Sequence, residues 1–256
     1  MSAARPLRIG LVVPSSNTTM ETELPAMLHA REAVLPAERF TFHSARTRMQ
    51  HVTPEQLRAM NAQAERAAAE LADLRPDAVA SACLVAIMAQ GAGHHRVAEA
   101  QIADALEREG AAAPVISSAG ALVAVLHHLG ARRVAMVTPY RKPLTQLVAD
   151  YVEDAGVAVH DALSLEVADN LAVGALDPAG LLAHARTLDL TGCDALVLSA
   201  CVQMPSLPAI EPVERELGLP VLSAATATAH ELLRALGLEP RVPGAGRLLA
   251  GDAVEA

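Results

Sequence analysis

The chain has 256 residues, 52% of them hydrophobic and 19% charged, with a net charge of −9. That is enough apolar material for one large core or two small ones. The acidic balance argues against nucleic acid and anionic membranes, which call for clustered Lys and Arg, and a chain with no Trp, two Phe and two Tyr lacks an aromatic stacking floor for bases or sugars.

Short runs rich in Val, Ile and Leu alternate with longer alanine-rich amphipathic stretches. The runs predict buried parallel strands at 8–13, 39–44, 77–82, 114–117, 134–138, 157–163, 195–199 and 220–223. Helices are expected at 18–30, 53–74, 95–109, 120–129, 143–155, 178–188 and 225–236. Thr53-Pro-Glu-Gln56 opens one of them, with Thr53 as cap, Pro54 at the first position and Gln56 completing a capping box. Strand–helix alternation of this kind means an α/β protein with parallel sheets.

The pattern also repeats. Ile9-Gly-Leu-Val-Val-Pro14 resembles Val134-Ala-Met-Val-Thr-Pro139, and Asp77-Ala-Val-Ala-Ser-Ala-Cys83 resembles Asp194-Ala-Leu-Val-Leu-Ser-Ala-Cys201. Pro114-Val-Ile-Ser-Ser-Ala-Gly-Ala resembles Pro220-Val-Leu-Ser-Ala-Ala-Thr-Ala. Three matches in one order point to two pseudo-symmetric α/β lobes of about four strands each. Ligands of open parallel sheets bind beyond the carboxyl ends of the strands. If the lobes face each other, one cleft between them carries a thiol on each wall.

Those thiols, Cys83 and Cys201, are the main chemical signal. Each is a small buried hydrophobe on the plain reading and a nucleophile or proton carrier on the sharper one. Their pairing at the ends of equivalent strands favours the second. Cys193, just before a strand and without a counterpart, reads as structural. Asn17, in Pro14-Ser-Ser-Asn17 before a helix, suits either an N-cap or a carboxylate site. Tyr140 occupies the equivalent loop of the second half, as a hydrogen-bond donor to a substrate anion or a partly exposed loop residue. Asn170 ends the polar insertion Glu166-Val-Ala-Asp-Asn170, which reads as a non-helical site loop or a turn. His94 and His95 are adjacent, without a third metal ligand at useful spacing, and read as solvent-facing residues of a helix start. His127 and His128 read as surface or interface. Met204-Pro205 and Pro208 read as chain breakers shaping a loop.

No metal site emerges. The single Lys, Lys142, lacks the setting of a Schiff-base lysine and the glycine-rich run of a P-loop. Residues 1–6 lack the apolar core of a signal peptide, and the run at 78–89 is too short to span a bilayer, which takes roughly 18 or more residues. The expectation is a cytoplasmic protein with free thiols.

Leu11-Val-Val-Pro-Ser-Ser-Asn17, Ala82-Cys-Leu-Val85, Val137-Thr-Pro-Tyr140, Glu166-Val-Ala-Asp-Asn170 and Ser199-Ala-Cys-Val-Gln-Met-Pro-Ser206 together resemble the maleate cis-trans isomerase family of the aspartate/glutamate racemase superfamily. The resemblance covers essentially the whole chain, including Val242-Pro-Gly-Ala-Gly-Arg247. It implies a cofactor-free conversion of maleate to fumarate. By the same resemblance Cys83 is the nucleophile, Cys201 the partner thiol that manages a proton, and Asn17, Tyr140 and Asn170 hold the carboxylates. It also implies a homodimer, a role in bacterial nicotinate breakdown, and a chain path in which 1–118 plus 222–256 form the first lobe and 119–221 the second. Two alternatives stay open: another racemase or decarboxylase of the superfamily acting on a small acid, and a two-lobed anion-binding protein with structural thiols.

Overall fold

The structure, a computed structural model, describes residues 5–251; most of the N-terminal stretch read above lies outside the described residues. Among the described residues eight strands form: β1 (Leu7–Pro14), β2 (Phe40–Thr47), β3 (Ala78–Ser81), β4 (Val115–Ser117), β5 (Arg133–Thr138), β6 (Ala158–Ser164), β7 (Ala195–Ser199) and β8 (Val221–Ser223). They make two four-stranded sheets of the same order, β2-β1-β3-β4 and β6-β5-β7-β8. All pairings are parallel, with Val12 beside Ser81 in the first sheet and Met136 beside Val197 in the second. The repeat in the sequence is therefore a repeat of topology.

The helices are α1 (Met20–Val34), α2 (Pro54–Asn61), α3 (Ala64–Ala72), α4 (Leu84–Met88), α5 (His94–Arg108) and α6 (Ser118–His128), then α7 (Lys142–Asp154), α8 (Asn170–Gly174), α9 (Leu181–Ala185), α10 (Leu207–Leu217) and α11 (Ala224–Ala235). They cover both faces of each sheet, as parallel strands require. Along β1, Ile9, Leu11 and Val13 enter the main core, while Val12 enters a second core with Ala67, Ala68 and Leu71 of α3 and Ile102 of α5. Helix α11, which follows the second sheet, packs on α1 and α6 and on β3 and β4 of the first.

The expected helix at 53–74 is two helices. Leu57 and Met60 of α2 belong to the main core, whereas Ala67, Ala68 and Leu71 belong to the second, and one straight helix cannot face both. Thr53 does cap α2, accepting from Gln56 N, but there is no capping box: the Gln56 side chain accepts from Gln50 N and His51 N at 2.8 Å each. The stretch 178–188 is a 3₁₀ turn, Pro178–Gly180, followed by α9. The prolines after Cys201 do not leave a plain loop either: Pro208 sits in the first turn of α10, where its missing N–H costs nothing. Among the described residues no helix is long and apolar enough to cross a membrane.

Candidate active site

In each sheet the strand order reverses at one place, between β1 and β3 and between β5 and β7. Chain connections leave in opposite directions there, opening a crevice at the carboxyl edge. Asn17 follows β1, Cys83 follows β3, Tyr140 follows β5 and Cys201 follows β7. All four line one cavity, joined by Asn170. The sequence-derived site residues thus meet in one place.

Cys83 caps α4 in a left-handed backbone conformation, φ +79°. A residue with a Cβ seldom adopts that conformation, and strain of this kind gathers at functional sites. The turn aims the thiol into the cavity ahead of an entirely buried helix. Burial pushes the Cys83 thiol up to about 12, against the pull of the Ala86 amide; Cys201 adds a smaller upward push. Cys201 sits in a tight turn closed by the Ser199 hydroxyl, which donates to Cys201 O at 2.9 Å and Met204 O at 3.2 Å. Its thiol is also raised, by burial, while the Tyr140 hydroxyl and the Gln203 and Met204 amides pull it down.

Tyr140 is buried, not partly exposed, and burial raises its hydroxyl well above the usual phenol value. Asn17 serves α1: its Oδ1 accepts from Thr19 N at 3.0 Å and Met20 N at 2.9 Å. This bond fixes the side chain in the cavity wall. Asn170 is not in a non-helical loop. It is the first residue of α8, whose N-terminus Asp169 caps by accepting from Ala172 N at 2.7 Å. The segment before it is tied to the Tyr140 loop, with Val167 N donating to Pro139 O at 2.9 Å. Asn170 Nδ2 donates to Ser16 Oγ at 2.8 Å, across to the end of β1.

The remaining wall is apolar: Met49, Val52, Leu84, Val85 and Val202, with Gln203 closing one side. Free space inside is about 20 Å³, room for about one water. Larger grooves lie near residues 237–251, but no thiol lines them. Met49 and Val52 follow β2 and Gln203 stands two residues after Cys201; the rule that sites gather at carboxyl ends of strands was the signal for all three.

Cys193 lies outside the cavity, buried ahead of β7, with burial raising its thiol. His95 departs from its solvent-facing reading. It is buried, and its Nδ1 pairs with Tyr151 Oη at 2.6 Å, tying α5 to α7. His127 and His128 are exposed.

The sequence matches the arylmalonate decarboxylase family over residues 9–249. It is 57% identical to the maleate isomerase of Alcaligenes faecalis over 244 residues, covering 95% of this chain and 96% of that protein. The crystal structure of a cysteine-to-alanine variant of the Pseudomonas putida S16 maleate isomerase with maleate superposes with a TM-score of 0.95. That protein is 53% identical, with 97% of this chain and 99% of that one covered. A cysteine-to-serine variant of the Nocardia farcinica maleate cis-trans isomerase, with a covalently bound succinylcysteine intermediate, superposes with a TM-score of 0.92. It is 53% identical, with 96% and 98% covered. The chain belongs to the arylmalonate decarboxylase family and, within it, to the maleate isomerases.

Proposed function

We propose that this chain isomerises maleate to fumarate by covalent addition of a thiolate. The observation that carries this reading is the meeting of two buried thiols and three neutral polar side chains in one apolar-walled cavity at both switch points. Maleate's double bond does not rotate thermally on a useful timescale. The Cys83 thiol passes its proton to a carboxylate of the bound dianion and the sulfur adds to C2, forming a C–S bond while the π pair moves to C3 and into its carboxylate; the proton goes back to the sulfur when it leaves. The C2–C3 bond is now single and turns. Returning the pair expels the sulfur and leaves the trans alkene. Cys201, held by the Tyr140 hydroxyl, is placed to lend a proton to C3 and take it back. The overall change is redox-neutral, so no step calls on an electron carrier. Asn17, Asn170 and Tyr140 hold the carboxylates with neutral donors, which suits a dianion better than a second charge beside a forming thiolate. The succinylcysteine adduct in the Nocardia farcinica neighbour supports the addition step.

The same reading assigns 1–118 plus 222–256 to the first lobe and 119–221 to the second; packing of α11 on β3 and β4 supports the return crossing. A homodimer and a cytoplasmic location complete it, supported by the family resemblance alone.

The test is purified protein on maleate, against aspartate, glutamate, a hydantoin and an arylmalonate, with peptide mapping after trapping. Fumarate from maleate, and one succinyl mass on Cys83, are expected. Cys83→Ala should lose adduct and turnover; Cys201→Ala should lose turnover, or nearly so. Because the two thiols act as a unit, the double variant should be little worse than Cys83→Ala. An adduct on Cys201 alone reverses the assignment, and a fully active Cys83→Ala protein removes thiol addition altogether.

A further inference from the structure

Asn17, Asn170 and Cys201 come from the ends of β1, β6 and β7, in two different sheets. One buried side chain, with no role assigned so far, touches all three. Gln203 Oε1 accepts from Thr18 N at 2.8 Å. Its Nε2 donates one hydrogen to Asn170 O at 2.8 Å and shares the other between Ser16 O at 3.2 Å and Thr18 Oγ1 at 3.3 Å. The backbone joins in: Gln203 N donates to Cys201 Sγ at 3.4 Å, and Gln203 O accepts from Thr19 Oγ1 at 2.7 Å. The amide thus grips the residues on both sides of Asn17, the carbonyl of Asn170, and the turn that carries the second thiol. Its orientation follows from its partners, since oxygen must face the Thr18 N–H and nitrogen the two carbonyls.

Gly174 supplies an independent observation. A Cβ there would stand 2.5 Å from Thr18 Oγ1 and 2.6 Å from Gln203 Nε2. The last residue of α8 is therefore kept bare by the approach of the Thr18 hydroxyl and this amide, and an alanine would push on both side chains rather than on backbone.

We propose that Gln203 is the positioning residue that holds the two carboxylate-binding asparagines and Cys201 in one register. The proposal rests on the isomerase reading above and deepens it. A succinyl adduct turns about its C2–C3 bond by keeping one carboxylate held while the other swings, so the spacing of the groups that receive them decides whether it reaches the trans geometry. Misplacement by about 1 Å is worth on the order of a hundredfold in rate.

Two variants test it. Gln203→Glu keeps volume and the acceptor for Thr18 N but sets an oxygen against two carbonyl oxygens. Once protonated, that carboxyl regains a single donor. We expect kcat/KM on maleate about a hundredfold below wild type at pH 8, with a raised KM. The ratio of variant to wild type should climb as pH falls toward 5.5. Gly174→Ala should fold normally and raise KM by about tenfold or more. A purely structural role for Gln203 would reduce the amount of active enzyme and leave KM unmoved. If Gln203→Glu does not fold, the KM of Gly174→Ala decides. Folded variants with wild-type KM and kcat overturn the proposal alone, whereas wild-type protein inert on maleate overturns the isomerase reading.

Discussion

The thiols of this site do not wait as thiolates. Burial is the chief cause of the upward shift at both Cys83, raised to about 12, and Cys201. A nucleophile therefore forms only when its proton leaves within the closed site. The same shift has a consequence for stability. Above pH 9 the unfolded chain sheds a proton from Cys83 that the folded chain keeps, so the unfolded state binds fewer protons and folding stability falls with rising pH. The contribution is fully present below pH 9 and is lost progressively toward 12. Cys201 and Tyr140 push in the same direction. Urea midpoints measured between pH 8 and about 10.5 should thus decline in wild type and decline less steeply in Cys83→Ala. Equal slopes in the two proteins would show that Cys83 ionises freely in the folded state.

Helix α10 shows how an element can be capped by residues far away in the chain. Its N-terminal amides, Ser206 N and Leu207 N, donate to Glu23 Oε1 at 2.6 and 2.7 Å, and Ser206 makes no side-chain cap of its own. Glu23 lies on α1, which follows β1 of the first sheet, while α10 follows β7 of the second. The carboxylate complements the helix dipole, yet burial holds it above its usual value against the pull of the two amides and the Ser206 hydroxyl. Glu23→Ala should therefore cost about 1–3 kcal/mol, leaving two buried amides without partners. Glu23→Gln keeps an acceptor oxygen and removes the buried charge, and should stay within about 1 kcal/mol of wild type. Denaturant unfolding checks both, and a Gln variant as damaged as Ala would show that the charge itself is needed. No local sequence signal announces this cap, 183 residues distant. Met204-Pro205 and Pro208 read instead as breakers. By contrast the eight strands, Cys83 and Cys201 were legible, because apolar runs and a thiol at equivalent ends recur at short range. His95 failed for the same reason as α10: its partner Tyr151 is 56 residues away.

At the scale of the whole molecule, the two sheets close on their own active site. The cavity offers about 20 Å³, far less than a dicarboxylate of four carbons occupies, and its walls come from both sheets. Asn170 to Ser16, Gln203 to Thr18 and Ser206 to Glu23 all bridge from segments that follow strands of the second sheet to the segment that follows β1 of the first. A four-carbon dicarboxylate therefore needs these walls to move, and we expect some of these bonds to part as it enters. Alkylation of Cys83 reports that opening directly. Its pH dependence yields the thiolate fraction, and the remaining deficit relative to the urea-unfolded chain measures how seldom the site is open. We expect that deficit to be about a hundredfold or more, because opening must break several buried hydrogen bonds at about 1 kcal/mol each. Succinate, which carries the same two carboxylates on four carbons but has no double bond to attack, is expected to occupy the site and should then slow labelling further in proportion to its occupancy. It should also raise the unfolding midpoint, since it binds the folded chain alone. Labelling of the folded protein at the unfolded rate, once ionisation is allowed for, would show that the walls stand open in solution and that the bridging hydrogen bonds do not gate the site.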